Sequence, residues 1–184
     1  MRGRYGTAGE SDSELADFAG VYERHFAEIH RYIAGRLGRD VADDIAADTF
    51  VIALRKYSDF DAGRGPLRAW LYGIATNLVA QHHRAEKRRY QAMARAWAQE
   101  LTAGRQDHAT SWTAAEGLQP QLAKALAGLP RQERDVLLLV ALVGLSYEEI
   151  SQALDVPSGT VGSRLNRARK KIRAAVNMRG LIDD

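Results

Sequence analysis

Large apolar residues in the first part of the chain fall at Leu15, Phe18, Tyr22, Phe26, Ile29, Ile33 and Leu37. Steps of three and four keep them on one face of an α-helix, and no stretch of the sequence shows the apolar–polar alternation of a half-buried strand. The chain is therefore expected to be all-α. A Gly-Arg-Asp break at Gly38 leads to a second helix over about residues 41–57, which is acidic near its start through Asp40, Asp43, Asp44 and Asp48. SDFDAGRGP, residues 58–66, has the composition of a loop, and Pro66 suits the first turn of a following helix. That third helix is expected over about residues 67–88, with Leu67, Leu71, Ile74 and Leu78 on its buried stripe and a basic end, HHRAEKRR.

Beyond residue 88 the pattern weakens until GRQDHATS dissolves it, and it resumes near residue 114. The expected organisation is a tail over 1–14, a helical unit over 15–88, a linker over 89–113, a second helical unit over 114–178 and a short tail over 179–184. Trp97 and Leu101 leave room for a helical extension within the linker. In LPRQERDVLLLV, Pro130 marks a helix start, and the apolar run behind it implies a helix buried on most sides.

Composition narrows the class of protein. With 46% hydrophobic and 27% charged residues the chain can bury a core, and with no cysteine it has no disulfide, thiolate metal site or thiol chemistry, which suits a reducing cytoplasm. The N-terminal MRGRYGTAGESDSE lacks the apolar segment of a secretory signal, and the longest apolar run, VLLLVALV, has eight residues against the roughly 20 needed to span a bilayer. Net charge is only +3, so its placement matters more than its sum: six Lys and Arg lie within residues 164–173.

That run belongs to SYEEISQALDVPSGTVGSRLNRARKKIR, residues 146–173. Ser146 and Glu149 form the S-x-x-E pattern of a capping box, so a short helix should begin at Tyr147. It should end near Leu154, because Pro157 disfavours helix in the residue before it, and a second helix should start around Ser158. At 100° per residue, Val161, Leu165, Ala168 and Ile172 cluster within about 60° as an inward face. Ser163, Asn166, Arg167 and Lys170 then lie opposite, flanked by Arg164, Arg169 and Lys171. A buried helix, a short helix, a tight turn and a second helix with such a face describe a helix-turn-helix that enters the DNA major groove. Lys and Arg would attract phosphates, whereas Ser163, Asn166 and Arg167 can address base edges. A plain solvated basic face is the competing reading; the capping box, turn and buried helix arriving together favour DNA.

With these residues in view, LPRQERDVLLLV followed by residues 146–173 resembles the promoter-reading domain of bacterial sigma factors of the extracytoplasmic-function (ECF) group. The N-terminal half agrees. DDIAADTFVIALRKY, residues 43–57, resembles the family's polymerase-clamp-binding helix, and WLYGIATNLVAQHHR, residues 70–84, resembles the helix that reads the minus-ten element. The resemblance covers about residues 15–88 and 114–176. It implies a specificity subunit that binds core RNA polymerase through the beta-prime clamp helices and the beta flap and directs promoter-specific initiation. By the same resemblance an anti-sigma factor is an expected partner, and no cofactor, metal, small-molecule substrate or catalytic residue is expected.

The resemblance also implies roles. Asp43, Asp44, Asp48 and Phe50 fall on the clamp-docking segment, Phe50 as core support. Asp61 and Arg64 lie in the loop, residues 60–65, that captures a flipped base of the minus-ten strand; Asn77 falls near that pocket, and Arg84, Lys87, Arg88 and Arg89 would hold the backbone upstream. Ser158, Thr160, Ser163, Arg164, Asn166, Arg167, Lys170 and Lys171 would contact the minus-thirty-five element. Three positions depart from the family's habit: Ala47 stands where glutamine is common, Gln81 where aspartate is frequent, and Gly162 where a cation often sits.

Two other readings were open. Asp43 and Asp44 with His82 and His83 offer metal-ligand chemistry, but adjacent residues on a helix point about 100° apart, so neither pair converges by local geometry. Trp70 and Tyr72 read as core or core-rim packing. A stand-alone regulator that binds duplex DNA without polymerase would need an effector domain, and the N-terminal half carries no receiver or ligand-pocket signature. With the chain ending soon after Val176, no appended regulatory domain is expected.

Overall fold

In the computed structural model, which describes residues 8–103 and 120–177, every regular element is helical. The elements run α1 Ala8–Leu37, α2 Arg39–Arg55, α3 Leu67–Gln81, α4 His83–Ala103, α5 Pro120–Gly128, α6 Arg131–Leu138, α7 Tyr147–Leu154 and α8 Ser158–Asn177. Helix α1 begins at Ala8, upstream of the apolar stripe that marks it in the sequence. It packs along α2, and both pack on α3.

The α1–α2 corner turns on Gly38, whose φ of +99° is open to glycine at little cost. Phe50 of α2 sits in an aromatic cluster, edge-on to Phe18 and Tyr22 at centroid distances of 6.4 and 5.0 Å and tilted against Phe26 at 5.9 Å. Rings at these separations add specific edge–face attraction to their burial. Between α2 and α3, two 3₁₀ turns, Tyr57–Asp59 and Ala62–Arg64, form the expected loop; the Asp61 carboxylate accepts the Gly63 amide at 2.8 Å and caps the second turn.

The structure differs from the sequence expectation at the third helix. Helix α3 stops at Gln81, and after a turn at His82 a new helix, α4, carries the chain to Ala103. The front of the expected linker, residues 89–103, is therefore helical. The cause is visible in Tyr90, 1% exposed, and Met93, packed against the core, with Trp97 half-buried at the same helical spacing. The remaining linker residues 104–119 and the tails 1–7 and 178–184 lie outside the described residues.

Helix α5 lies along α4, and α5 and α6 both pack against α8. As expected, α6 is buried on most sides, with Glu133, Arg134, Asp135, Val136 and Leu138 all buried, and exposure in its apolar run begins only beyond its end. The run leaves α-geometry at Leu139–Val143 for a π turn, and Leu142 is 43% exposed, whereas Val136 and Leu139 are fully buried. Gly144 ends the turn in left-handed geometry, φ +72°. The helix-turn-helix follows as expected. The Glu149 amide donates to Ser146 Oγ at 3.2 Å and the Ser146 amide to Glu149 Oε2 at 2.7 Å, completing the capping box of α7. Asp155 turns the chain in left-handed conformation, φ 51°, with its amide donating to the Gln152 carbonyl and that of Val156 to the Ser151 carbonyl. Val161, Leu165 and Ala168 of α8 are buried together with Ile150 of α7.

The cap and the core are separable contributions. Ser146→Ala is expected to cost about 1 kcal/mol by loss of the cap, and Leu165→Ala about 2–5 kcal/mol by leaving a cavity, both read from urea unfolding midpoints of the full chain.

Candidate nucleic-acid interface

Helix α8 presents its polar side outward. Ser158, Ser163, Asn166, Arg167, Lys170 and Lys171 are exposed, Thr160 and Arg164 are half-buried, and Val161, Leu165 and Ala168 anchor the helix from beneath. The facing derived from 100° per residue therefore holds. The structure adds that Glu133 of α6 reaches this face. Lys171 Nζ donates to Glu133 Oε2 at 2.8 Å and Arg167 Nε lies 3.5 Å from Oε1, so two of the expected DNA-contacting cations already share an internal partner. Ser163 is also engaged: its hydroxyl donates to the Thr160 carbonyl at 3.0 Å. Arg169 and Arg173 instead line the mouth of an apolar cavity of about 300 Å³ with Leu126, Leu138, Leu142 and Ile172.

At Gly162 a Cβ would meet only the Tyr147 ring, at an ordinary contact distance of 3.7 Å. Nothing among the described residues requires glycine there.

In the N-terminal unit, Asp61, Arg64, Asn77, Arg84, Lys87 and Arg88 are all exposed, as the expected contacts to a melted strand demand. Phe60 packs on the half-buried Trp70 at 5.4 Å, so Trp70 supports the loop, while Tyr72 is a core residue, edge-on to Tyr32 at 5.2 Å. Arg89 differs from its neighbours. Its guanidinium lies against Gly38 and its Nε is buried, so it braces the α1–α2 corner rather than extending the basic surface.

On α2, Asp43, Asp44 and Asp48 are exposed, together with Val51 at 46% and Leu54 at 37%. These two aliphatic residues were missed in the sequence, where a helix with apolar residues on several sides gives no signal for which of them face water. Phe50 is 3% exposed and supports the helix from within.

The carboxylate–histidine pairs do not converge. Asp43 Oδ1 bonds His30 Nε2 at 2.9 Å, His83 Nδ1 sits 3.1 Å from Arg134 Nη2, and no group of three or more potential metal ligands occurs among the described residues. No helix among them is long and apolar enough to cross a membrane.

A second polar feature had no signal in the sequence. Arg36 is fully buried, donating from Nη1 to Tyr32 Oη at 2.6 Å, from Nε to Glu86 Oε1 at 2.7 Å and from Nη2 to Asp135 Oδ1 at 2.6 Å. Burial works against its charge, but Tyr32, Glu86 and Asp135 outweigh that and hold its pKa well above the ordinary value. Arg134, also buried, lies 3.6 Å from Glu86 Oε2.

Comparison with known proteins agrees with this geometry. The Sigma-70 region 2 family matches residues 21–89, and the Sigma-70 region 4 family matches residues 120–172. The chain is 33% identical over 144 residues to the ECF RNA polymerase sigma factor EcfG of Rhodopseudomonas palustris, covering 78% of this chain and 76% of that one. It is 30% identical over 177 residues to the ECF RNA polymerase sigma factor SigW of Bacillus subtilis, covering 90% and 89%. Its fold is similar to that of CnrH in complex with the cytosolic domain of CnrY, with TM-score 0.62 at 27% identity over 93% of this chain and 94% of that one. It is also similar to that of RpoE in complex with the anti-sigma factor NepR from Bartonella quintana, with TM-score 0.59 at 24% identity over 88% and 97%. With both sigma regions matched in order, each on its own helical unit, the chain belongs to the extracytoplasmic-function group of RNA polymerase sigma factors, the subunits that bind core polymerase and promoter DNA to start transcription.

Proposed function

We propose a division of labour between the two helical units. The unit of α1 to α3 docks on the beta-prime clamp helices through the exposed face of α2, with Asp44 and Asp48 supplying charge and Val51 and Leu54 apolar contact. The loop at 60–65 then captures a base flipped from the minus-ten strand. Flipping costs a few kcal/mol, which polymerase and a preshaped loop supply jointly. Arg84, Lys87 and Arg88 hold the adjoining backbone. The unit of α5 to α8 lies against the beta flap and reads the minus-thirty-five duplex with α8, where Asn166 and Arg167 address base edges and Lys170 the phosphates. The protein makes no bond itself, and it acts in the cytoplasm, where bacterial transcription takes place.

The observation that carries this reading is the polar row Ser163, Asn166, Arg167 and Lys170, held outward on α8 by the buried Val161, Leu165 and Ala168. A row of donors on a rigid helix whose opposite side is locked in a core is what groove entry needs. Control by an anti-sigma factor is part of the same proposal. It is supported by the similarity to CnrH, which was solved with the cytosolic domain of CnrY, and to RpoE, which was solved with NepR.

The deciding experiment is sequencing of transcripts made on genomic DNA by core polymerase with and without the purified protein. New start sites are expected; duplex binding without initiation would instead mark a stand-alone regulator. On a promoter so mapped, Arg167→Ala is expected to lose about 1–3 kcal/mol of discrimination at one base pair. Lys170→Ala should weaken binding to all sequences alike and lower the log–log salt slope by about 1. Gly162→Ala should stabilise the free chain by up to about 1 kcal/mol through helix propensity. A simultaneous loss of duplex affinity would assign that glycine to close approach of the DNA.

A further inference from the structure

Helix α8 carries its cations on the surface, but the carboxylate that meets two of them comes from behind. Glu133 lies in the first turn of α6, beside the buried Arg134 and Asp135, and its side chain is 10% exposed against 59% for Arg167 and 49% for Lys171. Arg167 and Lys171 are four positions apart, so their side chains share a face of α8, and the carboxylate divides between them. Oε2 accepts from Lys171 Nζ at 2.8 Å, and Oε1 lies 3.5 Å from Arg167 Nε. An ion pair between two flexible surface side chains fixes little. Here one partner is held in the packing of α6 on α8, so the carboxylate is a fixed point and the cations are placed by it.

The atom by which Arg167 is held decides what it has left to offer. A guanidinium is a planar fork of donors, and engagement at Nε leaves the end-on pair, Nη1 and Nη2, which makes no hydrogen bond or ion pair among the described residues. That pair matches the O6 and N7 acceptors of a guanine in the major groove. Lys171 has a different effect. Two cations against one carboxylate leave a net charge of +1, so Glu133 turns no unpaired negative charge toward DNA, while the ammonium is drawn inward, away from phosphates.

We propose that Glu133 is a positioning residue for base readout. It pins Arg167 from behind, so that the Nη pair meets a guanine edge with little rotamer freedom left to lose. It also keeps Lys171 from adding a phosphate attraction that every sequence would share. Discrimination rises while sequence-independent affinity falls. This role rests on the minus-thirty-five reading of α8 and adds to it the internal residue that sets the geometry of the reading side chain.

The test uses core polymerase reconstituted with the full-length chain on a mapped promoter, with each minus-thirty-five base pair substituted in turn. Competitor-resistant complexes are measured over a range of salt. Arg167→Ala identifies the base pair that Arg167 reads, expected to be a G·C pair whose substitution weakens binding by the wild type about tenfold. At that pair Glu133→Gln, which keeps the side-chain shape and removes the charge, should cut discrimination about threefold. It should also raise affinity for the substituted promoters about threefold and steepen the log–log salt slope by about 1, as Lys171 is freed to take a phosphate. Adding Lys171→Ala should cancel that steepening. In the Arg167→Ala background, Glu133→Gln should change discrimination no further. This cycle separates positioning from general damage to the fold, because damage would appear in both backgrounds. Full discrimination by the Glu133→Gln protein, or an equal loss with and without Arg167, would overturn the positioning role. If Arg167→Ala leaves discrimination unchanged at every base pair, the reading of α8 itself falls, and the role of Glu133 with it.

Discussion

A single buried guanidinium organises this molecule. Arg36 lies at the C-terminal end of α1, out of reach of water, and its donors go to Tyr32 on its own helix, Glu86 on α4 and Asp135 on α6. A charge so placed is tolerable only when paired and bonded, because removing one partner leaves a desolvated ion at a cost of about 3–5 kcal/mol. The geometry of α1, α4 and α6 is thereby coupled: none can shift without uncovering a charge. Tyr32 extends the constraint to α3 through its bond with Thr76 at 2.9 Å.

That coupling bears on how the candidate functional surfaces are presented. The α2 face with Asp44, Asp48, Val51 and Leu54 and the α8 row with Asn166 and Arg167 are both open to solvent, and each is braced from inside by residues that make no outward contact. The aromatic cluster around Phe50 holds α2, and Leu165 with Ile150 holds α8. Electrostatics are already partly internal. Glu133, only slightly exposed, holds Lys171 and faces Arg167, so the positive field at α8 is smaller than a count of its Lys and Arg suggests. A cation that must exchange an internal carboxylate for a phosphate contributes less to net affinity than one that exchanges only counterions.

Much of this was legible in the chain because it is local. Helix positions follow from the spacing of apolar residues, and the start of α7 from Ser146 and Glu149, three residues apart. The outward row on α8 follows from the angular step per residue alone. The extension of α4 was legible too, in Tyr90, Met93 and Trp97 at helical spacing, but the neighbouring alanines and glutamines diluted it. The end of α3 at Gln81 was not, because His82 and His83 carry no capping or breaking preference that separates them from helix interior.

The sequence by itself therefore determined the helical class, the two units and their order, the helix-turn-helix with its outward polar face, and the acidic face of α2. Each rests on residues within a few positions of one another, where backbone geometry dictates who shares a face. Tertiary structure alone decided which charges are buried, which of the aliphatic residues on α2 face water, and how the units meet. Arg36 finds its partners 50 and 99 positions away, and Gly73 meets the backbone of Ala153 eighty positions on. No local pattern distinguishes a charge that will be desolvated at such a distance from one that stays in solvent, since the difference lies in the partner and not in the residue.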